Sequence, residues 1–187
     1  LMGAGRTEIM QAVFGYLPAD SGEILIDGQP VKIKNPMDAM KAGIGFITED
    51  RKVEGLMLDK TIRENIALAN LGTISGSGVI SKAKEKSLIS RGIEEFKIRC
   101  FGTEHECGNL SGGNQQKVVL AKWIYTEPKI LILDEPTRGV DIGAKKEIYN
   151  VINDMARKGV AIIMVSSELP EILGMSDRVM VVREGDV

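Results

Sequence analysis

Two uninterrupted apolar segments in the last third of the chain constrain the fold more than any other feature. Residues 130–133 and 160–165 are continuous apolar runs, and residues 143–157 between them have the apolar spacing of a helix. Strands that are apolar throughout are buried on both faces, which is typical of a parallel sheet covered by helices. We therefore predict an α/β fold with a mostly parallel sheet, whose ligands lie at the carboxyl ends of the strands.

The remaining segments predict further elements around this sheet. Asp27-Gly28 between two short apolar runs indicates an antiparallel hairpin, and Asn35 before Pro36 indicates the capped start of a helix. The other predicted elements, in chain order, are a strand at 44–48, a helix at 61–70, a Gly/Ser-rich link at 72–78, helices at 82–97, 113–125 and 168–173, and a strand at 179–182. Residues 61–110 are predicted as a helical subdomain within a single domain, 1–187.

Composition excludes several classes of protein. With 43% hydrophobic residues and a net charge of -2, the 187 residues favour a folded domain over a disordered chain. The 24 Lys and Arg do not outnumber the 26 Asp and Glu, so we predict no nucleic-acid binding. No apolar run reaches the roughly 18 residues that cross a bilayer. Cys100 and Cys107 fit neither a disulfide scaffold nor a zinc site, and are predicted to be free thiols.

Asp134 and Glu135 follow directly on the apolar run of residues 130–133. Burying unpartnered carboxylates costs several kcal/mol, so a cation or a water is expected beside them. In P-loop nucleotide hydrolases, an Asp at a strand end holds Mg²⁺ and a following Glu can polarise the attacking water. The alternative is a pair of acids at a solvent-exposed strand end.

A second motif directly precedes the helix predicted at 113–125. It reads Leu110, Ser111, Gly112, Gly113, Asn114, Gln115, Gln116. A hydroxyl, two glycines and the free N–H groups of a helix start together suit a phosphate. The alternative is a plain helix cap at Ser111, but glycines are poor helix formers and need another explanation.

Together, the two motifs resemble those of the ATP-binding cassette (ABC) ATPases. LSGGNQQ at 110–116 resembles the family's signature, ILILDEP at 130–136 its Walker B motif, and Gly139, Val140 and Asp141 stand at the place of its D-loop. The likeness covers essentially the whole chain and extends to the second cassette of the fused ATPase subunits of bacterial ribose, galactose, xylose and arabinose importers. It implies a P-loop NTPase fold with an antiparallel hairpin region and a helical subdomain, and ATP hydrolysis with Mg²⁺ coupled to sugar transport.

The same resemblance implies partners and a location. The partners are a first cassette of the same full-length chain, transmembrane permease subunits and, indirectly, a periplasmic sugar-binding protein. The cassette would lie peripherally on the cytoplasmic face of the inner membrane. Residues 49–52 and the helices within 61–97 correspond to the region that meets the permease, where contact through Asp50 or Arg51 stays open against a merely solvated face. We also expect a first strand and the first Walker A glycine to precede Leu1.

The resemblance also carries roles onto individual residues. Nucleotide binding falls to Gly3, Ala4, Gly5, Arg6, Thr7 and Glu49. Thr7 and Asp134 would hold Mg²⁺, and Glu135 would be the general base. The family's switch histidine is expected after the strand at 160–165, and Ser167 stands at that position. The single histidine, His105, is expected at the surface.

Three positions depart from the family pattern. Arg6 stands where Walker A has lysine, Glu49 where the Q-loop has glutamine, and Ser167 where the switch has histidine. A planar guanidinium needs more room than an ammonium, and a serine cannot carry the proton that imidazole carries near neutral pH. We expect nucleotide binding to survive at this site and hydrolysis to be slow or absent.

These departures give a specific hypothesis and leave three alternatives. In the hypothesis, Ser111, Gly112 and Gly113 complete the hydrolysing ATP site of the partner cassette. The alternatives are hydrolysis at both sites, a catalytically silent nucleotide-binding module, and a soluble ABC protein acting on DNA or ribosomes. The last is disfavoured because the sequence has neither a long coiled-coil insertion nor a basic arm.

Overall fold

The computed structural model describes residues 4–183, which form two compact units. The first contains the described residues up to Glu49, Pro128–Pro136 and those from Ala156 onward, and the second contains Asp50–Glu127 and Thr137–Met155. The helices are α1 (Arg6–Val13), α2 (Pro36–Lys41), α3 (Ile62–Ala69), α4 (Leu71–Ile74), α5 (Lys82–Glu95), α6 (Gly112–Ile124), α7 (Ile142–Arg157) and α8 (Leu169–Met175), with a π-helical turn at Arg51–Gly55 and a 3₁₀ turn at Cys107–Asn109. The strands are β1 (Ile24–Ile26), β2 (Gln29–Val31), β3 (Ile44–Ile47), β4 (Ser75–Gly76), β5 (Val79–Ile80), β6 (Ile130–Asp134) and β7 (Ala161–Val165).

A three-stranded parallel sheet organises the first unit. Its order is β3-β6-β7, with Ile44 opposite Ile130 on one side and Asp134 opposite Val165 on the other. Leu131, on the central strand β6, is fully buried, as are the two residues after it. Both apolar runs therefore form strands of the predicted parallel sheet. Burial on both faces is confirmed for β6 but not for β7, which is partly exposed and has Ile163 39% exposed.

The hairpin and helix that precede this sheet follow their local signals. β1 and β2 pair antiparallel, and both turn residues, Asp27 and Gly28, have positive φ angles of 52° and 74°. Such a turn matches the twist of paired strands. The side chain of Asn35 accepts a hydrogen bond from the backbone N–H of Asp38 at 3.1 Å and so caps α2.

The second unit is built mainly from helices. α3 begins with a capping box, in which the Thr61 hydroxyl accepts from the Glu64 N–H at 3.1 Å and the Glu64 carboxylate accepts from the Thr61 N–H at 2.9 Å. α3 packs against α5 and α6, and its Ile62 and Ile66 are fully buried. The interval 61–110, predicted as a subdomain, lies inside this unit.

Two predicted elements differ from the structure. The link at 72–78 is not irregular, because it contains part of α4 and the small hairpin of β4 and β5. The strand predicted at 179–182 is wrong: residues 179–181 are exposed, and no described strand pairs with them. Apolar residues alone do not make a strand, because its backbone groups need a hydrogen-bonded neighbour.

The isolated side chains follow the sequence expectations. Both cysteines are free thiols, with Cys107 buried and Cys100 partly exposed. His105 is partly exposed and packs against the ring of Phe101, with 5.2 Å between the ring centroids.

Among residues 4–183, no helix is long and apolar enough to cross a membrane.

Candidate functional site

Most of the residues predicted to bind nucleotide belong to the first unit and lie at one edge of its sheet. Asp134 ends β6 and Glu135 follows it, while Ser167 stands two residues after β7. Glu49 stands two residues after β3. Because parallel strands present their carboxyl ends at a common edge, the fold brings these residues to the same side of the sheet.

The start of α1 supplies the loop residues of this site. Gly5 is the N-cap residue with a φ of 86°, a left-handed conformation that favours glycine. Ala4 is buried, and Arg6 and Thr7 form the first turn of the helix. N–H groups at a helix start have no intrahelical acceptor and form a natural anion site. Gly3, also predicted here, lies outside the described residues.

Asp134 is fully buried, and neither of its carboxylate oxygens has a hydrogen-bond partner among the described residues at full bonding geometry. Burial raises the pKa of this carboxyl, and the charge of Glu135 raises it further. The Thr7 hydroxyl and the Arg6 charge lower the same pKa and offset part of the rise. A buried carboxylate with two unpartnered oxygens calls for a cation.

The donors at this position suit Mg²⁺. Magnesium takes one or two protein oxygens and completes its octahedral shell with water and substrate phosphates. The Asp134 carboxylate and the Thr7 hydroxyl are such oxygens and belong to the same site. Within residues 4–183, no group of three or more His, Cys, Asp or Glu side chains is placed to hold a metal ion.

Glu135 has a strained backbone and a defined partner. Its φ of 48° lies in the left-handed region, which costs a non-glycine residue of order 1–3 kcal/mol. Its N–H donates to the carbonyl of Val165 at 2.9 Å, and its Oε2 accepts a hydrogen bond from the Ser167 hydroxyl at 3.0 Å. Strain of this kind concentrates at functional positions, so the backbone supports a functional role for Glu135.

The Arg6 guanidinium turns toward the end of β7. Its Nη1 donates to the carbonyl of Ser166 at 2.9 Å. Ser166 is itself buried, and its hydroxyl donates to the Glu171 carboxylate and accepts from the Glu168 N–H at 3.0 Å. The sequence analysis passed over Ser166, although a polar residue directly after a buried strand and beside Ser167 is a signal for a site residue.

The signature lies in the second unit, at the start of α6. Ser111 is the N-cap residue, but its side chain makes no capping hydrogen bond to the helix backbone. Its exposed hydroxyl accepts instead from Asn114 Nδ2 at 3.0 Å, and Asn114 Oδ1 accepts from the Arg99 N–H at 2.9 Å. The plain-cap alternative therefore lacks its defining bond, and the Ser111 hydroxyl lies at the surface.

Close packing explains both signature glycines. A Cβ on Gly113 would lie 2.7 Å from the Ala144 Cβ on α7. A Cβ on Gly112 would lie 2.8 Å from Arg51 Nη2 and 3.1 Å from the Gly139 carbonyl oxygen. Packing within the same unit thus disfavours a side chain at both positions, independently of any phosphate.

The other signature residues stabilise the turn. Leu110 and Gln116 are buried, and so is Gln115, whose Nε2 donates to the Cys107 carbonyl at 3.1 Å. Gln115 Oε1 has no partner among the described residues. These buried side chains stabilise the start of α6, and Ser111 remains as its exposed polar group.

The D-loop residues connect the signature to α7. Gly139 has a φ of 65°, and the Val140 N–H donates to the Thr137 carbonyl at 3.2 Å in a tight turn. Asp141 Oδ1 accepts from the Ala144 N–H at 2.9 Å, so Asp141 caps the first turn of α7. The predicted D-loop is therefore an ordered turn beside the signature glycines.

Comparison with known families adds to this geometry. Residues 2–138 match the family model described as ABC transporter. Proteins named ribose import ATP-binding protein RbsA are 59% identical to the chain in Bacillus subtilis and 58% in Oceanobacillus iheyensis, each over all 187 residues. The counterpart in Bacillus licheniformis is 61% identical over 185 residues, 99% of the chain. The chain spans 38% of the length of each of these three relatives.

Solved structures share the fold. A dimeric ABC transporter cassette, MJ0796, matches with a TM-score of 0.83 and 20% identity, covering 100% of this chain and 80% of that one. The ADP conformation of the ATP-binding cassette MJ1267 matches with a TM-score of 0.77 and 23% identity, covering 98% of this chain and 74% of that one. At such identities, the likeness shows the fold alone.

Proposed function

This chain belongs to the ABC transporter family, and we propose that it is an ATP-binding cassette that energises the import of a monosaccharide. The observation that carries the nucleotide-binding part is the fully buried Asp134 carboxylate, whose oxygens lack partners at the end of β6. Thr7, which stabilises the charged form of that carboxylate, starts α1 at the same edge of the sheet. This is a site for the metal complex of a nucleoside triphosphate.

We assign the chemistry of this site residue by residue. The first turn of α1 binds phosphate through its N–H groups, and Asp134 and Thr7 would hold Mg²⁺, which neutralises phosphate charge when bound. Glu135 orients the attacking water as a general base. A general base acts best when its proton can pass to a titratable neighbour, and the Ser167 hydroxyl cannot take that proton near neutral pH.

The position of Arg6 supports slow hydrolysis at this site. Its guanidinium donates to the Ser166 carbonyl at 2.9 Å, so the cation is drawn toward the strand end. A lysine ammonium is compact and fits a phosphate cradle, whereas the planar fork of Arg is larger and already bonded here. With Ser167 at the switch position, two elements of the catalytic arrangement are altered at once.

Unlike Arg6 and Ser167, the residues of the signature match the family pattern. Ser111 presents a hydroxyl that makes no bond to its own helix backbone, and α6 begins directly behind it. We propose that this surface contacts the γ-phosphate of ATP bound to a partner cassette. The cassette would thus contribute mainly by completing the partner's site rather than by hydrolysing its own nucleotide.

The names of the relatives support the transport context. Proteins 54–61% identical to this chain are named ribose import ATP-binding proteins, and each is longer than the chain. By analogy, we propose a first cassette in the same full-length subunit, permease subunits that supply the membrane spans, and a periplasmic sugar-binding protein. The cassette would act at the cytoplasmic face of the inner membrane.

Two substitutions in the full-length subunit assembled with its permease test the proposal. Ser111→Arg blocks the signature, and Glu135→Gln removes the general base of this cassette. We expect Ser111→Arg to lower transport-coupled ATP turnover by about 100-fold, in the range of a lost catalytic element, and Glu135→Gln to lower it less than about twofold. Equal losses in the two variants would contradict the asymmetry.

A second candidate is a cassette that binds nucleotide and never hydrolyses it. The bond from the Ser167 hydroxyl to Glu135 Oε2 favours this candidate, because it occupies the carboxylate of the base with a group that does not titrate near neutral pH. In that case, Glu135→Gln leaves turnover unchanged in every background. Residual turnover in Ser111→Arg that disappears when Glu135→Gln is added would instead show slow hydrolysis here.

A further inference from the structure

We propose that Arg51 is a positioning residue that holds the D-loop, residues 139–141, and the first signature glycine, Gly112, in one fixed arrangement. The inference rests on the proposed signature function, because it concerns how that surface is held toward a partner's ATP. Arg51, Gly112 and the D-loop all belong to the second unit.

The contacts of the guanidinium carry this proposal. Arg51 Nη1 donates to the Arg138 carbonyl at 2.7 Å, and Nη2 donates to the Gly139 carbonyl at 3.4 Å. The two ends of the guanidinium thus hold two successive carbonyls, that of Arg138 directly before the D-loop and that of Gly139 at its start. Desolvation lowers the Arg51 pKa, partly offset by the charge of Asp50, so the cation is drawn from bulk water into this contact.

The signature turn is shaped around the same group. Arg51 Nη2 would lie 2.8 Å from a Cβ on Gly112, too close for any side chain larger than hydrogen without displacement of the guanidinium. The Gly139 carbonyl oxygen lies 3.1 Å from the same Cβ position. Gly112 therefore packs directly on the contact between Arg51 and the D-loop.

The segment that presents Arg51 is itself anchored at both ends. Asp50 Oδ1 accepts from the Lys52 N–H at 2.9 Å and the Val53 N–H at 3.2 Å, which caps the π-helical turn. At the other end, Lys122 Nζ on α6 donates to the Gly55 carbonyl at 3.0 Å. The turn is therefore fixed to the signature helix, and Arg51 extends from a supported base.

Arginine is required for this role because two acceptors are served at once. A lysine at position 51 offers one compact cation and cannot reproduce the planar fork. Without the fork, the D-loop turn and the signature turn are free to shift relative to each other. A displacement of about 1 Å in a catalytic contact can cost about 100-fold in rate.

Steady-state ATPase of the full-length subunit with its permease provides the test. Arg51→Gln, Arg51→Lys and the charge-matched surface control Lys41→Gln, at an exposed position at the end of α2, are compared by kcat, by KM for ATP and by the number of ATP molecules bound per complex. We expect Arg51→Gln to lower kcat at least about tenfold, with KM within about twofold and ATP stoichiometry unchanged. Arg51→Lys should recover part of the loss, and Lys41→Gln should match the unmodified protein.

A double-mutant cycle separates positioning from general destabilisation. Gly112→Ala displaces the guanidinium, so Gly112→Ala and Arg51→Gln disturb the same contact. Their losses of kcat should therefore not be additive. The double variant is expected within about twofold of the slower single variant, whereas independent effects multiply. Multiplying losses, or a kcat for Arg51→Gln equal to that of Lys41→Gln, would overturn the inference.

Ser111→Arg, measured alongside, distinguishes the two levels of the proposal. If Ser111→Arg abolishes turnover and Arg51→Gln does not lower it, the signature function stands and the positioning role of Arg51 fails. If Ser111→Arg leaves turnover intact, the proposed signature function fails, and the role of Arg51 fails with it.

Discussion

The Ser167 hydroxyl donates to Glu135 Oε2 across 3.0 Å, and Ser167 stands at the position where the family resemblance implies a histidine. The predicted base and the residue at the predicted switch position are thus in contact, but a serine hydroxyl does not titrate near neutral pH. At the end of the same strand, β7, the Arg6 guanidinium donates to the Ser166 carbonyl at 2.9 Å. Two of the three positions that depart from the family pattern, Arg6 and Ser167, thus meet at the end of β7.

Restoring both positions should restore hydrolysis at this site. In a Ser111→Arg background, which blocks the partner's site, we expect Arg6→Lys combined with Ser167→His to raise the residual ATP turnover about tenfold or more, because acid–base catalysis contributes about 100-fold or more where it is intact. Steady-state ATPase of the full complex measures this. If the combined variant stays at the residual rate, the two substitutions do not explain the slow site.

Asp134→Asn should stabilise the nucleotide-free protein at pH 7. Burial raises the pKa of Asp134 above its unfolded-state value, so the folded state binds the proton more tightly. The free energy of unfolding therefore falls as the pH rises from the unfolded-state pKa through the folded-state pKa of Asp134. It stays lower at neutral pH. Amide hydrogen exchange of β6, corrected for intrinsic rates, should be slower in the variant than in the unmodified protein.

The same variant should lose its response to Mg²⁺ with ATP. We expect Mg²⁺ with ATP to slow β6 exchange in the unmodified protein and to slow it less in Asp134→Asn, since the amide carries no charge for the metal. Faster exchange of β6 in the metal-free variant would mean that the Asp134 carboxylate is stabilised by contacts other than those described.

Gly113→Ala should destabilise the second unit. Its added methyl would lie 2.7 Å from the Ala144 Cβ, and overpacking of this kind costs about 1–3 kcal/mol. Gly72→Ala is the matched control, because a Cβ on Gly72 meets nothing within 4 Å and lies within a helix. Urea unfolding should show a lower midpoint for Gly113→Ala and an equal or slightly higher one for Gly72→Ala. Equal midpoints for both variants would contradict the packing explanation.

The two cysteines should differ in reactivity. Burial raises the pKa of Cys107 to about 11, and Lys122 and Asn65 offset only part of that rise. At pH 8, the Cys107 thiolate is therefore roughly 100-fold scarcer than that of an ordinary thiol. Iodoacetamide followed by mass spectrometry should label the partly exposed Cys100 first and Cys107 only on unfolding. Labelling of both at one rate in the folded protein would show that Cys107 is accessible.

Local patterns predicted most of the fold because each had one dominant physical cause. The apolar run of β6 is short and apolar throughout, which favours a strand buried on both faces, and Asn35 before Pro36 fixed the start of α2. The prediction of a strand at 179–182 failed because a strand needs a neighbouring strand to pair with, and no local sequence pattern supplies one. The α4 and β4–β5 region was missed for a related reason, since glycine and serine there favour turns and conceal a short hairpin.

The site was predictable in its residue types and not in its contacts. The order of motifs along the chain placed Asp134, Glu135 and Ser111, but no spacing rule brings Arg6 to the Ser166 carbonyl or Arg51 to the Arg138 carbonyl, which lie 160 and 87 positions apart in sequence. Contacts at that separation depend on the tertiary fold. The packing requirement for Gly112 and Gly113 is likewise invisible without α7 and the D-loop beside them.

The fate of the γ-phosphate at each cassette tests the central claim most directly. The full-length subunit with its permease is loaded with photoreactive azido-ATP labelled at the α- or γ-phosphate, allowed one turnover, crosslinked and cleaved between its cassettes. Retention of the γ-label on this cassette, together with its loss from the partner, is the predicted result. Loss of the γ-label from both cassettes at the same rate would contradict the account.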